Sequence, residues 1–327
     1  MAAGLATKKK SRSLFHYTSA HGLVGIVRDG SLFATHAEFS NDTSECKLIL
    51  PHLKAVLVED YKRLIPELIK SRIMNEAILR EHGEGVYEEE AESSVRVMLQ
   101  AVNNTAPYFI TSFCIHDQED YEYSNGLLSQ WRGYARGGFA LEFDESEVDA
   151  LNAEEHAKWR YQGLITDAVA YEKHEERVRP EKFKGMAGAF LRSILPELKN
   201  PSLDAILGNA QVNDFAHSFL SVAPFLKHYG FREEAEYRVV ALCNRPTRVD
   251  PGDKRQVKEI HFRTDARSGN VVPYIALYEG LRTPLPIKSV VIGPHAQQKN
   301  QLAAVELLFE KYRIDAKIRL SSSPFRD

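Results

Sequence analysis

Two stretches of this 327-residue chain place acid–base and ionic groups at strand spacing. In His16-Tyr17-Thr18, an aromatic and β-prone run, period-two alternation puts the imidazole and the Thr18 hydroxyl on one face and the phenol on the other. Such a strand end can offer donors to a sugar, and it serves equally well as a core strand with one hydrogen-bonded histidine. In Glu234-Ala235-Glu236-Tyr237-Arg238-Val239-Val240 the same period sets Glu236 beside Arg238. On a solvated face that pair contributes little. In a cleft, Glu236 accepts a hydroxyl proton or steadies a developing cation, and Arg238 holds a phosphate or carboxylate. A third group, Ser129-Gln130-Trp131-Arg132-Gly133-Tyr134, offers rings for stacking on a base and a guanidinium for a phosphate. Trp131 and Tyr134 also stand three apart on one helix, the spacing of plain packing.

Other chemistry is poorly represented. The sequence has no GxxxxGK[ST], no strand-borne GxGxxG, no HExxH and no GxSxG, which removes the usual phosphate-loop, dinucleotide-fold, zincin and hydrolase readings. Cys46, Cys114 and Cys243 form an odd set without CxxC spacing, so neither a disulfide framework nor a thiolate zinc site is expected. Cys114 and His116 do not form a convincing nucleophile–base pair at strand spacing, and the scattered histidines predict no metal.

The elements that must position these groups follow from periodicity and caps. Leu14–Thr18 reads as a strand. A helix follows, with Leu23, Ile26 and Val27 on its apolar face and Gly30 as its stop, and Leu32–Thr35 is a further strand. Asn41-Asp42-Thr43-Ser44-Glu45 has the form of a capping box and predicts a helix start. Residues 51–105 read as helical, broken at His82–Gly85. Tyr108–Ile115, Gly138–Phe143, Glu236–Leu242, Val257–Phe262, Val271–Leu277 and Ile287–Ile292 read as strands, and an amphipathic helix carries Leu302 to Tyr312. Helices and strands mix without a βαβ period, so the expected class is α+β. The expected organisation is a disordered basic tail at 1–13 and one α+β domain at 14–327, with helical insertions at about 51–105 and 145–230.

Hydrophobic residues at 43% and charged residues at 27% are globular averages, and a net charge of −3 supplies no general field for a polyanion. Without a signal peptide or an apolar stretch of spanning length, a cytoplasmic protein is expected, with no membrane partner.

Taken together, His16-Tyr17-Thr18, Phe39-Ser40-Asn41-Asp42 to Glu45, Ser112-Phe113, Gln130 to Tyr134 before Gly138–Phe143, Phe231 to Arg238, Ile292-Gly293-Pro294 and Ser323-Pro324-Phe325-Arg326 resemble the bacterial domain of unknown function 2971 family. Thr43 stands where that family usually has a proline. A more distant likeness carries chemistry: the His16 strand, the helix ending at Gly30 and the late strand with Glu236 resemble the layout of NAD-dependent ADP-ribosyltransferases. That resemblance implies a split mixed sheet. It implies that His16 binds the ribose, that Tyr17 flanks the nicotinamide and that Glu236 steadies an oxocarbenium-like transition state. The middle motif residue would come from the Phe33 to Glu45 segment.

The expectation is therefore an enzyme that cleaves NAD at the nicotinamide–ribose bond and transfers ADP-ribose to a macromolecule or to water, as a toxin or a phage-defence effector would. Its catalytic residues would be Glu236 and His16, with His16, Tyr17, Thr18, Asn41, Trp131, Arg132 and Arg238 binding NAD. The alternative is a non-catalytic sensor binding a nucleotide or a nucleic-acid end, with Arg132, Arg238 and Arg326 on phosphates and Trp131 stacking. A third reading is a metal-dependent nuclease built on Asp42, Glu45 and Glu236. If the enzyme reading holds, His16 and Glu236 must meet in one cleft.

Overall fold

The computed structural model describes residues 11–39, 48–72, 74–105, 107–135, 138–171, 219–243, 252–265 and 269–324. Within them, the first elements follow local rules. Strand β1 (Ser13–Thr18) ends at Ser19, whose hydroxyl accepts from the Gly22 amide and caps α1 (Ala20–Asp29). Gly30, at φ +59°, takes the left-handed conformation and returns its amide to the Ile26 carbonyl. Strand β2 (Leu32–His36) follows.

Helices α2 (Leu50–Lys70), α3 (Ala77–His82) and α4 (Val86–Thr105) build the first insertion, with Pro51 in the opening turn and a tight turn at Gly83–Gly85. The expected capping box at Asn41–Glu45 lies outside the described residues. Next come β3 (Tyr108–Ile115), α5 (Tyr121–Asn125), a helical turn α6 (Leu128–Gln130) widening to a π-turn at Trp131–Ala135, and β4 (Phe139–Asp144).

The 145–230 stretch is not uniformly helical. Asp144 caps α7 (Glu145–Lys158), and the chain then enters a long strand, β5 (Trp159–Ala168), and the short β6 (Ala170–Tyr171). A register shift between Tyr161 and Gly163 breaks the alternation that would have revealed β5 in the sequence. Residues 172–218 lie outside the described part, and β7 (Leu226–Lys227) and a 3₁₀ turn at Tyr229–Glu234 lead into β8 (Glu236–Cys243). Between these two, Ala235 adopts φ +41°, an uncommon conformation for a side-chain-bearing residue. The rest is β9 (Gln256–Val257), β10 (His261–Thr264), β11 (Val271–Leu277), β12 (Ser289–Ile292), α8 (Gln298–Tyr312) and β13 (Lys317–Leu320).

Eleven of the described strands form one mixed sheet running β10-β11-β2-β3-β1-β4-β12-β13, with β8 and β5 added beside β3 and β9 beside β5. The class is α+β. One face packs on α2 and α4 through Tyr108, Val240 and Leu242. The other packs on α1, α7 and α8 through Leu14, Phe113, Leu141, Tyr237 and Ile275. Glu155 of α7, fully buried, ties that second layer to the sheet by accepting from the Tyr161 hydroxyl at 2.6 Å and from the Tyr278 amide at 3.1 Å, and by pairing with Lys258 at 2.8 Å. Among the described residues no helix is long and apolar enough to cross a membrane.

Strand β3 organises the sheet. Strand β8 pairs along it from Tyr108 to Cys114. Its other edge is shared, because β2 pairs at Phe109 and Ile110 while β1 pairs at Cys114 and Ile115. Over Thr111–Phe113 that edge has no strand partner, so the sheet is split there between the end of β1 and β2.

A third, smaller core of Phe15, Tyr17, Cys114, Leu127, Trp131, Ala140 and Val291 caps the β1–β4 region on the α2/α4 side. Gly126 is essential to it: at φ +72° and ψ 165° it adopts a conformation open to glycine, and a Cβ there would collide with the Trp131 ring. Gly126→Ala is expected to cost about 3 kcal/mol from combined backbone strain and overpacking, read as a lower urea midpoint with unchanged m-value.

Candidate functional site

Directly opposed residues share a sheet face, so the register decides which candidates can meet. Phe15 opposes Cys114, and Cys114 opposes Glu236. Glu236 therefore lies on the α2/α4 face with Phe15, Tyr17 and Arg238. His16 and Thr18 lie on the α1 face, where Leu141 and Phe139 oppose them on β4 and the Phe113 ring sits 5.7 Å from the imidazole. The expectation that His16 and Glu236 enter one cleft is overturned: they stand on opposite faces with β3 between their strands.

Glu236 sits in a closed ionic network. Its Oε1 accepts from Arg238 Nε at 2.7 Å and its Oε2 from Arg238 Nη2 at 2.9 Å and Lys227 Nζ at 3.0 Å; Lys227 also donates to Glu234 at 2.7 Å. Arg238 Nη1 donates to the Pro224 carbonyl at 2.5 Å. Burial favours the neutral acid, but Arg238 and Lys227 outweigh it and hold the Glu236 carboxyl at about 2. Two cations and two carboxylates balance one another. Glu236 is 5% exposed and Arg238 2%, so neither presents a group to solvent.

Tyr17 and Trp131 are likewise internal. The Leu127 amide donates to the Tyr17 hydroxyl at 2.7 Å, leaving the phenolic proton for His116 Nε2 at 2.9 Å. The Trp131 ring meets Tyr17 edge-on at 4.9 Å, and its Nε1 donates to the Asn125 carbonyl at 2.9 Å. Trp131 is fully buried, so it is no open stacking platform. Arg132, one residue on, is exposed. Asn41, Asp42, Glu45 and Arg326, and the Tyr134 side chain, lie outside the described residues.

A second buried carboxylate, Glu142, occupies the same face. It accepts from Ser13 at 3.1 Å, Tyr123 at 3.0 Å, Ser289 at 2.5 Å and Arg319 at 2.9 Å. Lys227, Glu142 and Arg319 were not singled out from sequence, and His116 entered there only as a partner for Cys114. Only the Glu142 carboxylate inside the apolar run Phe139–Phe143 was visible as an anomaly there.

The split is one place among the described residues where a buried polar group is left available. His16, half-buried at its rim, meets the Ser112 carbonyl through Nδ1 at 3.0 Å, and burial lowers its pKa against the opposing effect of that carbonyl. Thr111, in the unpaired window and on the same face as His16, is 2% exposed, yet its hydroxyl has no hydrogen-bond partner. A buried hydroxyl without a partner is costly, and such groups mark sites that a ligand or solvent completes. Thr18, two residues beyond His16 on the same face, ends β1 just before α1 begins.

Residues 130–239 match the model of a family described as a protein of unknown function, DUF2971. The DUF2971 match covers about a third of the chain and takes in the Gln130–Tyr134, Gly138–Phe143 and Phe231–Arg238 blocks, while the blocks at His16–Thr18, Phe39–Glu45, Ser112-Phe113, Ile292–Pro294 and Ser323–Arg326 lie outside the matched residues. No curated protein and no solved structure matches the chain. Within the DUF2971 segment, the Glu236 network joins β7 to β8. Among the described residues no group of three histidine, cysteine or acidic side chains is placed to hold a metal ion.

The Tyr17–His116 pair predicts a pH response. Burial pulls the His116 pKa down to about 4, below the ordinary value near 6.5, so the folded state holds it neutral. A depressed histidine contributes stability fully above pH 6.5 and loses it as pH falls towards 4. The wild-type protein is expected to lose on the order of 3 kcal/mol across that window. His116→Asn should flatten the slope between pH 7 and 4.5, measured by urea unfolding.

Proposed function

We propose that this chain is a nucleotide-recognition protein on an ADP-ribosyltransferase-like split sheet, holding NAD or a related ribose-bearing nucleotide at the gap between β1 and β2 without cleaving it. The observation that carries this reading is the unpartnered Thr111 hydroxyl in the unpaired stretch of β3, on one face with His16 and Thr18. Hydroxyl and imidazole groups at a strand end suit the 2′- and 3′-hydroxyls of a ribose, which both donate and accept.

Binding without turnover is favoured by the position of Glu236. A carboxylate that stabilises a developing cation must face the reacting carbon. Glu236 faces away from His16, with both oxygens engaged by Arg238 and Lys227. The NAD-cleaving reading has one observation in its favour: Ser112 meets His16 through its carbonyl on one side of β3 and shares the face of Glu236 on the other. The nuclease reading gains nothing from a Glu236 already neutralised by two cations.

Thr111→Val tests the site, because it removes a hydroxyl that bonds to nothing while keeping shape. The unliganded variant is expected to be as stable as wild type or more so, by up to ~1 kcal/mol. Its affinity for NAD should fall about tenfold, the scale of one lost hydrogen bond. His16→Ala should weaken NAD similarly. Unchanged NAD affinity in both variants removes the proposed site. Activity is tested on the wild type: no nicotinamide release is expected with NAD, alone or with protein and nucleic-acid acceptors. Release that Glu236→Gln abolishes in a folded protein would establish the enzyme instead.

A further inference from the structure

Where the sheet extends past the split, its α2/α4 face carries a row of rings. Tyr274 of β11 opposes Thr35 of β2 on one side and His261 of β10 on the other, so the three share a face. Phe33, two residues before Thr35, joins them. The Phe33 and Tyr274 rings lie 4.2 Å apart at 34°, and Tyr274 and His261 lie 5.5 Å apart at 34°, which makes a tilted ladder across three strands. Phe33 is 40% exposed, and Tyr274 and His261 are half-buried. On the reverse face the same strands bury Leu32, Ala34, Ile275 and Leu277 in the core, so this ladder is the outer surface of a rigid support.

Arg263 of β10 stands on the ladder's face, opposite Val272. Its Nη2 reaches Thr35 Oγ1 at 3.4 Å, at the long limit of a hydrogen bond, and its Nε is buried without a partner. Among the described residues no carboxylate forms an ion pair with it. This contrasts with Arg12, Arg160, Arg238 and Arg319, each of which holds a carboxylate. A half-buried guanidinium without an anion is a costly arrangement that an incoming anion relieves.

We propose that this face is a second binding site, for a small nucleotide whose base stacks on Phe33 and Tyr274 and whose phosphate meets Arg263. The rings select a planar heterocycle, since stacking on aromatic side chains is sequence-tolerant and favourable for every base. The single unpaired guanidinium selects one phosphate. A nucleic-acid strand would need a continuous cationic track, and the strands of the ladder, β2, β10 and β11, carry Arg263 and no other arginine or lysine. The site is separate from the gap at Thr111, because Phe33 and Thr35 lie on the opposite face from His16.

The experiment measures AMP, adenosine and NAD binding to the full chain by titration calorimetry. Wild-type protein is expected to bind AMP at least tenfold more tightly than adenosine, with affinity that weakens as salt rises. Arg263→Gln should erase the difference between AMP and adenosine, and Tyr274→Leu should weaken both ligands tenfold or more. His16→Ala and Thr111→Val should weaken NAD at the gap, whereas the advantage of AMP over adenosine that Arg263 supplies should persist in both. Equal affinity for AMP and adenosine in the wild type overturns the phosphate assignment without recourse to any variant. AMP affinity indifferent to Arg263→Gln and Tyr274→Leu overturns the site while leaving the gap reading intact. A short single-stranded oligonucleotide that binds ten times more tightly than AMP, and loses that affinity in Arg263→Gln, overturns the assignment to a small nucleotide.

Discussion

Strand β3 has two edges, and three strands compete for them. Strand β8 takes one along its length, and β1 and β2 divide the other, meeting β3 at opposite ends. A strand edge that is neither paired nor bulged must find other partners for its amides and carbonyls. The Ser112 carbonyl finds His16. The consequences spread outward: α1 must start where β1 leaves the sheet, β2 must return to β3 one helix later, and the α1 face acquires polar groups at the mouth of an otherwise apolar core.

The other face is governed by charge. Glu236 with Lys227, Arg238 and Glu234 at one end, and Glu142 with Arg319 at the other, are carboxylates buried on a sheet and matched by cations. Burying ions is expensive, and removing one partner leaves an uncompensated charge costing about 3–5 kcal/mol. The first network is local, tying β7 to β8, whereas Arg319 and Glu142 join β13 to β4 across 177 positions of the chain. Their saturation argues for scaffolding. A catalytic carboxylate needs at least one oxygen free for substrate, and Glu236 has none.

Much of the fold was legible because its signals are local. Ser19 and Gly30 delimit α1, and the apolar run at Tyr108–Ile115 and the alternation through Glu236–Val240 mark central strands. The pairing of Glu236 with Arg238 on one face followed from period two. What was not legible is how faces correspond between strands far apart in sequence. That His16 and Glu236 fall on opposite faces depends on the β3 register, which no window of sequence contains. Lys227 was hidden in a stretch read as helical, and β5 was hidden by its bulge. His116 gave no sign that its partner would be a tyrosine 99 residues away. The Phe33–Tyr274–His261 ladder likewise joins residues from three separate strands.

The anchoring of Asn125 has a consequence for how this molecule comes into being. Its carbonyl accepts from Trp131 and from Ser321, and its side chain from Ser322, residues up to 197 positions away. The same loop supplies the Leu127 amide that fixes Tyr17, so the surroundings of a strand near the start of the chain are finished by residues near position 320. During synthesis on the ribosome, β1 must wait for β4, β12 and β13 before its α2/α4 face is covered. Pairings of such long sequence separation form slowly and leave apolar strands exposed meanwhile. The apolar face of β1 thus stays open until the residues near position 320 are in place.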